Sequence, residues 1–362
     1  MSGDLTWPNV LNHLVGGGHL SQAQANWAMG EVMAGAVSPA KLAAFLMGMR
    51  AKGETIEELA GLTEAMLSHA TRIEVPGTTV DIVGTGGDRA NTVNISTMAA
   101  IVIAACGLCV VKHGNRAASS KSGSADVLEA LGIRLDHPPE RIAAIATEAG
   151  ITFCFASVFH PSMRHAGMAR KEIAIPTAFN FLGPLTNPAS PAATAVGCAD
   201  ARMAPLMAGV FASRGTSALV FRGDDGLDEL AATGPATIWE VRLNLDNDAN
   251  PPADVIVHRI DPAADLGLTP TTIPELRGGD AGENARVALA VLSGGQQGPI
   301  RETVLLNAAA ALVADGTLPG TSVNDGTLLE RLRDGMNLAG AAIDDGSAIE
   351  VLTGWQLASA RD

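Results

Sequence analysis

Tyrosine is absent from this chain, and aromatic residues make up only 3% of its 362 positions. Lysine is almost as scarce: all five lysines lie in the first half, and the last quarter is strongly acidic. With a formal net charge of −14, the chain lacks the basic surface that broad binding to nucleic acid or to an anionic membrane requires. We therefore expect neither partner, and a local basic pocket would fit a small polyanion better than a polymer.

Cysteine is too rare for a disulfide framework, with four residues in a long chain. Cys106 and Cys109 match the CxxC signal of redox or zinc sites, but they lie in an apolar run without a second pair, which favours two small buried residues. That run, from Met98 to Val111, is well short of the roughly 20 residues of a membrane-spanning helix. Asp4 stands where a secretory signal would carry cations. We therefore expect a cytoplasmic protein.

The remaining composition, 47% hydrophobic and 17% charged, permits a large core. Apolar spacing predicts helices over the first 75 residues, with Ser21 and Ser38 as N-caps and Pro39 at a first helical position. From residue 76 onward, short apolar runs alternate with helical segments, which predicts parallel strands with helical crossovers. The final helix is expected over Arg301 to Gly316. The predicted strands are TVDIVG, LCVVKHG, ITFCFA, ATAVGC, SALVFRG, ATIWEV and, as a further candidate, VIVHRIDP.

The segment DIVGTGGDRANTVNIST combines a buried strand, a glycine loop and a helix start. Gly84, Gly86 and Gly87 allow backbone N–H groups to approach phosphate oxygens without a Cβ in the way. Asn94 to Thr97 begin a helix, whose free N–H groups and dipole favour anions. The pattern is neither a Walker A loop nor GxGxxG, so it speaks against a nucleoside triphosphate or NAD. Taken alone, a tight strand-to-helix turn explains it equally well.

A second donor-rich stretch, KHGNRAASSKSGSAD, follows the next predicted strand. Lys112 offers three donors, and Asn115, Ser119, Ser120 and Ser124 add neutral ones. Loops after neighbouring parallel strands lie at the same carboxyl edge of the sheet. A flexible solvated loop would not explain the embedded lysine and asparagine. The two loops together predict a ligand with two separate phosphate groups.

Acidic residues follow a later strand in VFRGDDGLDELAATGP. Asp228 and Glu229, with Asp224 and Asp225 nearby, supply the carboxylates that Mg²⁺ prefers beside phosphate oxygens. Without the phosphate loops, an acidic surface turn would be the better interpretation. With them, we predict a magnesium site.

The segment FHPSMRHAGMAR places four basic residues on one predicted helix: His160, Arg164, His165 and Arg170. An arginine near a phosphate site can hold the carboxylate of a second substrate through a bidentate pair. Two histidines are too few for a metal site, which speaks against zinc.

Over almost its whole length the chain resembles the anthranilate phosphoribosyltransferase family, whose members join anthranilate to phosphoribosyl pyrophosphate (PRPP). The resemblance rests on many ordered blocks, namely SPAKLAAFLMGMRAKGET, DIVGTGGD, NIST, KHGNRAASSKSGSADVLEALG, HPSMRHAGMAR, FNFLGPLTNP, DGLDEL, GGDAGENA and VLLNAAAAL. Arg222 and Asp224 depart from it, since a His-Gly pair and one fewer acid often precede DGLDEL.

The resemblance implies specific roles, carried over position by position. Arg170, His160, Asn115 and Gly84 would contact anthranilate, and Ser96, Asp228 and Glu229 would hold two Mg²⁺ ions per subunit. No general acid or base is implied. The residues implied to bind PRPP are Gly84, Gly87, Asp88, Thr92, Asn94, Ile95, Ser96, Thr97, Lys112, His113, Gly114, Asn115, Arg116, Ala117, Ala118, Ser119, Ser120 and Ser124.

The same resemblance implies an α/β fold: a small all-helical domain hinged to a larger α/β domain with a central, mostly parallel sheet. The helical domain would span residues 1–75 with a returning segment near 165–185, and the α/β domain residues 76–362. The family usually forms a homodimer through the helical domain.

Two rival interpretations belong to other functional classes. A pyrimidine-nucleoside phosphorylase shares the overall fold, but its loop should read more like KxSGRG and GGTxD than KHGNRAASSKSGSAD. Related transferase-like proteins that bind nucleic acid should show a basic surface and an eroded acidic pair, whereas this chain is acidic and retains Asp228 and Glu229.

Overall fold

The computed structural model describes residues 5–117, 121–244 and 252–361. Its contacts divide the chain into two compact units. A helical unit comprises Met1–Arg72 and Ala156–Pro188, and an α/β unit comprises Ile73–Phe155 and Ala189–Asp362. The predicted domain limits, residues 1–75 with a return near 165–185, stay a prediction beside this division.

Side-chain caps begin three helices of the helical unit. Ser21, Ser38 and Thr55 each accept a hydrogen bond from the backbone N–H three residues later, and Pro39 occupies the first turn. The sequence-based assignment of Ser21, Ser38 and Pro39 is thus confirmed. The helices are α1 (Trp7–Val15), α2 (Gln22–Met33), α3 (Pro39–Lys52), α4 (Ile56–Ser68), followed after the first three strands by α8 (Ala156–Phe159) and α9 (Gly167–Ile173).

The basic residues from His160 to Arg170 do not lie on one helix, so that prediction is wrong. His160 precedes a 3₁₀ helix over Pro161–Ala166, and α9 starts only at Gly167. Pro161 has no N–H to donate, and Gly167 is a poor helix former, so the continuous α-helical ladder fails here.

One seven-stranded sheet forms the centre of the α/β unit, in the order β3-β2-β1-β4-β5-β6-β7. The first five strands in this order are parallel, and the last two pair antiparallel. All seven predicted strands are confirmed. They are β1 (Thr79–Gly84), β2 (Cys109–Gly114), β3 (Ile151–Phe155), β4 (Ala193–Gly197), β5 (Ser217–Gly223), β6 (Ala236–Leu243) and β7 (Ala253–Ile260).

Two apolar helices, α5 and α13, build the core beside this sheet. They pack on each other and on β1, and most of their side chains are buried. The helices of this unit are α5 (Ile95–Ala105), α6 (Ser124–Ala130), α7 (Pro139–Ala149), α10 (Met203–Ser213), α11 (Pro262–Leu266), α12 (Ala281–Leu292), α13 (Pro299–Asp315), α14 (Leu328–Asp344) and α15 (Ser347–Ser359).

The predicted fold class, a helical domain with a larger α/β domain around a mostly parallel sheet, is confirmed. One detail is corrected: α13 does not close the chain, because α14 and α15 follow it and cover the same core. Within the described ranges, every helix is too short or too polar to cross a membrane.

Candidate active site

Three of the predicted ligand loops converge at one edge of the sheet. Because β1, β2 and β5 run parallel within the sheet, the loops after Gly84, Gly114 and Gly223 all start at carboxyl ends of strands. Side-chain and backbone hydrogen bonds then join the glycine loop to both of the others. Ligands of open α/β sheets bind outside this edge.

The glycine loop between β1 and α5 contains four residues with positive φ. Gly86 and Gly87 have φ of 68° and 89°, which glycine adopts without strain. Arg89 and Asn91, with φ of 63° and 54°, adopt a conformation that is uncommon for residues with a Cβ and that clusters at functional sites. A hydrogen bond of 2.9 Å from Gly278 N to Asn91 O holds the far side of the loop. The segment predicted to bind phosphate therefore contains strained backbone.

Asp228 sits against two glycines that pair across the sheet. Gly84 of β1 and Gly197 of β4 are partners in register. A Cβ at Gly84 would overlap the Asp228 carboxylate, and one at Gly197 would overlap the Asp228 backbone carbonyl. The carboxylate accepts a hydrogen bond of 2.6 Å from Gly86 N. Only glycine at positions 84 and 197 leaves room for Asp228, so these two residues at the ends of β1 and β4 determine where Asp228 lies.

Asp88 joins the predicted acidic pair. The carboxylates of Asp88, Asp228 and Glu229 offer oxygens that all lie within 4.8 Å of one another. Burial, followed by the charge of Asp88, raises the pKa of Asp228 to about 7. Burial, followed by the charges of Asp228 and Asp88, raises the pKa of Glu229 well above its ordinary range. Carboxylates this close repel one another unless a proton or a cation neutralises them.

One oxygen of Glu229 has no hydrogen-bond partner among the described residues. Thr92 Oγ1 donates to Glu229 Oε1 at 3.1 Å, whereas Oε2 is buried and accepts no hydrogen bond from the described residues. A buried carboxylate oxygen without a donor costs free energy unless a ligand binds it. Mg²⁺ prefers one or two carboxylates together with phosphate oxygens and waters. The donor set therefore fits a magnesium ion.

Lys112, which belongs to both the predicted strand LCVVKHG and the predicted loop KHGNR, lies within β2, so the loop begins only after Gly114. Its side chain is 1% exposed, and Nζ donates to Ile82 O at 2.6 Å and to Ser96 Oγ at 3.1 Å. Burial lowers the pKa of Lys112 to about 8, although the charge of Asp81 opposes this. The ammonium group therefore remains mostly charged at pH 7, beside Ser96 in the first turn of α5.

The loop after β2 is closed by charged groups of α6. Arg116 forms a bidentate pair with Glu129 at 2.6 and 2.7 Å. Asp126 accepts hydrogen bonds from Ala117 N at 3.0 Å and from Gly123 N at 2.8 Å. Burial alone would raise the pKa of Asp126, but these bonds and Arg116 lower it. The loop ends are thus held by α6.

The predicted substrate residues divide between the two units. Ala118, Ser119 and Ser120 lie outside the described residues. His160 and Arg170 belong to the helical unit. The α/β unit contains Gly84, Gly87, Asp88, Thr92, Asn94, Ile95, Ser96, Thr97, Lys112, His113, Gly114, Asn115, Arg116, Ala117, Ser124, Asp228 and Glu229.

His160 and Arg170 differ in charge. His160 is 4% exposed, its Nε2 donates to Thr186 O at 2.9 Å, and burial lowers its pKa to about 4, so its ring is neutral at pH 7. Burial also lowers the pKa of Arg170, but an arginine remains charged. The Arg170 guanidinium lies 6.0 Å from the centre of the Phe179 ring. Of these two side chains, Arg170 is the one that can pair with a carboxylate.

Two buried asparagines support the site and were missed in the sequence. Asn284 Nδ2 donates to Asn94 Oδ1 at 2.8 Å, and Asn284 Oδ1 accepts from Gly279 N at 2.8 Å. Asn307 on α13 bonds the backbone of Leu230, which follows the acidic pair. The available signal for Asn307 was an amide side chain inside the otherwise apolar block VLLNAAAAL, whereas Asn284 lies among polar residues in GGDAGENA and gave no such signal.

A helical bundle, an α/β domain and a sheet edge whose loops suit phosphate groups are together typical of one class of glycosyltransferases. The model of the glycosyl transferase family, a/b domain, matches residues 76–349, and that of the glycosyl transferase family, helical bundle domain, matches residues 8–70. Within that class, the anthranilate phosphoribosyltransferase of Arthrobacter sp. (strain FB24) is 56% identical over 97% of this chain and 95% of the relative. The chain therefore belongs to the anthranilate phosphoribosyltransferase family.

Solved structures agree with this assignment. The crystal structure of anthranilate phosphoribosyltransferase from Thermus thermophilus is 36% identical, covers 97% of this chain and 99% of its own, and superposes with a TM-score of 0.86. The enzyme from Saccharomyces cerevisiae in complex with PRPP and Mg is 26% identical, covers 99% of both chains, and gives a TM-score of 0.84.

Proposed function

We propose that this chain transfers the phosphoribosyl group of PRPP to the amine of anthranilate, giving N-(5-phosphoribosyl)anthranilate and pyrophosphate, in L-tryptophan biosynthesis. The observation that carries the proposal is the cluster of Asp88, Asp228 and Glu229 beside the glycine loop and the start of α5. A ligand with a pyrophosphate and a bound cation suits this cluster. The yeast relative bound to PRPP and Mg supports the same choice.

The pyrophosphate end of PRPP would bind between the glycine loop and α5. The backbone of Gly87 would be accessible to the ligand, because a φ of 89° suits glycine and no atom lies within 4 Å of the place that a Cβ would occupy. Asn94 to Thr97 supply the first turn of α5, where the helix dipole favours negative charge. Lys112 adds a cation beneath that turn through its bond to Ser96. The loop from Asn115 to Ser124 would complete the site around the ribose phosphate.

Magnesium would bind at the carboxylate cluster, and we propose two ions per subunit held by Ser96, Asp228 and Glu229. Glu229 Oε2 is buried without a donor among the described residues, and the raised pKa values of both acids indicate charge that needs neutralising. Asp88 lies close enough to contribute a further oxygen. When bound, Mg²⁺ neutralises negative charge on the leaving pyrophosphate.

Arg170 would bind the carboxylate of anthranilate through a bidentate pair. Its guanidinium is part-buried and stacked near Phe179, which limits its rotamers. His160 is neutral at pH 7, so we assign it packing and hydrogen bonding to the substrate without a charge. Gly84 and Asn115 are proposed as further contacts to anthranilate.

The transfer breaks the bond between ribose C1 and the pyrophosphate oxygen, and the electron pair leaves with pyrophosphate. The anthranilate nitrogen then forms the new bond to C1 and loses one of its two protons, which water or the departing pyrophosphate accepts. The aromatic amine of anthranilate is already neutral at pH 7, so no general base is assigned. Positioning of the two substrates and stabilisation of the departing charge by preorganised donors account for the rate.

Loss of anthranilate fluorescence with purified protein tests the proposal. We expect the signal to fall only when both PRPP and Mg²⁺ are present, and Glu229→Gln to slow this decay strongly. Arg301→Lys, which keeps the charge of an arginine on α13 that pairs with Asp344, is the matched control and should behave as wild type. A flat trace from folded protein that binds PRPP would refute anthranilate as the acceptor.

We propose further that the protein is a cytoplasmic homodimer. Light scattering coupled to gel filtration tests the assembly: a mass of about twice 36.9 kDa supports the dimer, and the mass of a single chain contradicts it. Fractionation of the producing cells tests the location.

A further inference from the structure

The side chain of Asn307 forms hydrogen bonds with the backbone of one residue that is distant in the sequence, Leu230. From the middle of α13, its Nδ2 donates to Leu230 O at 2.8 Å, and its Oδ1 accepts from Leu230 N at 3.2 Å. Nδ2 also donates to Thr303 O, at 2.8 Å. Asn307 is 2% exposed and Leu230 is completely buried. The amide thus satisfies both polar backbone groups of Leu230 where water does not reach.

This asparagine is unfavourable for its helix. Asparagine is a weaker helix former than leucine or alanine, and its amide must be desolvated when it is buried. The residues around it on α13, including Leu306, Ala308 and Ala310, are buried and apolar. A leucine at position 307 would suit the local helix better, so the benefit of Asn307 must come from what its amide holds.

Leu230 directly follows the carboxylates of the cluster. Asp228 and Glu229 lie in an irregular segment between β5 and β6, without a ladder of its own to fix the backbone. Asp228 is held on one side by Gly86 N, at 2.6 Å. Asn307 supplies the restraint on the other side, one residue beyond Glu229.

We propose that Asn307 is a positioning residue, which acts through Leu230 to hold Asp228 and Glu229 in the geometry that the metal and pyrophosphate require. This inference rests on the proposed function of the carboxylate cluster. It assigns no contact between Asn307 and substrate. Because the clamp acts on backbone, its loss should weaken metal binding and not only the stability of the fold.

The test compares Asn307→Leu with Thr303→Val. Leucine has a similar volume but cannot bond Leu230, which leaves a buried N–H and C=O without partners. Thr303→Val removes a part-buried hydrogen bond of 2.7 Å from Thr303 Oγ1 to Pro299 O, one turn earlier on the same helix, and leaves both bonds between Asn307 and Leu230 intact. Both variants should melt at a lower temperature than wild type. Thermal unfolding therefore measures whether the two lose a similar amount of stability.

Binding of Mn²⁺ in the presence of PRPP separates the two variants. The electron paramagnetic resonance signal of free Mn²⁺ reports the bound fraction without any turnover. We expect the Mn²⁺ dissociation constant and the Mg²⁺ concentration for half-maximal rate to rise about tenfold in Asn307→Leu, as expected for a buried hydrogen-bonded pair that loses its partner. Thr303→Val should keep wild-type values for both. An unchanged Mn²⁺ constant in folded Asn307→Leu overturns the inference.

Hydrogen exchange of the wild-type protein decides the matter if Asn307→Leu does not fold. The Leu230 amide should exchange as slowly as the buried amides of α13. Exchange as fast as that of the exposed turn at Asp224 and Asp225 would show that the clamp is open and would overturn the inference. Failure of the proposed function has a different signature, namely wild-type protein that neither consumes anthranilate nor binds Mn²⁺ with PRPP.

Discussion

Acidification should destabilise the helical unit through His160. Burial lowers the pKa of His160 to about 4, from an ordinary value of 6.5. Between these values the unfolded chain binds a proton that the folded chain does not, so the free energy of unfolding falls as the pH falls. The loss amounts to about 2 kcal/mol at pH 5 and approaches about 3 kcal/mol below pH 4. Above pH 6.5 the contribution is constant.

Urea denaturation at pH 7.5 and pH 5, followed by circular dichroism, measures this loss. His160→Gln places an amide nitrogen near the position of Nε2, keeps a donor for Thr186 O and does not titrate. Wild type should therefore lose about 2 kcal/mol more than His160→Gln between the two pH values. His165→Gln changes an exposed histidine of the same segment and should retain the wild-type dependence.

Equal losses in wild type and His160→Gln would refute the reasoning. His160 would then titrate as an exposed histidine does, and its ring would carry charge at mildly acidic pH. In that case the assignment of the anthranilate carboxylate to Arg170 alone would also need revision, because two cations would compete for it.

Three further predictions concern the site itself. Gly197→Ala should unfold more easily by at least about 2 kcal/mol, because its methyl would overlap the Asp228 carbonyl, whereas Gly354→Ala on α15 should be neutral or stabilising in thermal melts. In EDTA at pH 8, Asp228→Asn should be more stable than wild type by about 2 to 4 kcal/mol, because the variant does not bury a charge. The pKa of Asp228 in folded wild type is raised to about 7, so between pH 7 and pH 4 the folded protein binds a proton there and this gain in stability should shrink. A gain that does not change with pH would contradict burial of a charged Asp228 as its cause. Arg170→Ala should raise the KM for anthranilate with PRPP binding nearly unchanged; equal loss for both substrates in steady-state kinetics would speak against its assignment.

Much of this fold could be predicted from local sequence because its signals are local. Each strand is a short apolar run, and the start of α5 near Asn94 follows from a polar residue before a long apolar segment. The family membership, the reaction and the fold class predicted from ordered blocks are confirmed. The individual substrate and metal residues stay predictions.

The errors and omissions come from contacts between distant positions. Asp88 is far from Asp228 in the sequence, and nothing in the spacing indicates that the two carboxylates meet. Lys112 was counted with the KHGNR loop, yet β2 continues through it, and a serine hydroxyl and a backbone carbonyl accept its hydrogen bonds. Asn307 sits in a helical pattern that looks purely apolar apart from this one amide. Each depends on tertiary structure that a pattern along the chain does not contain.

The carboxylate cluster depends on the packing of the α/β unit for its position. Three carboxylates within 4.8 Å, a buried Lys112 and positive φ at Arg89 and Asn91 each disfavour the folded state when no ligand is present. Such groups stay in place only when their surroundings leave no alternative. Packing of α5 and α13 against β1, and the missing side chains of Gly84 and Gly197, provide that constraint. The site is therefore preorganised by packing as well as by the residues proposed to bind ligands, and a substitution such as Gly197→Ala should weaken metal binding together with the stability of the fold.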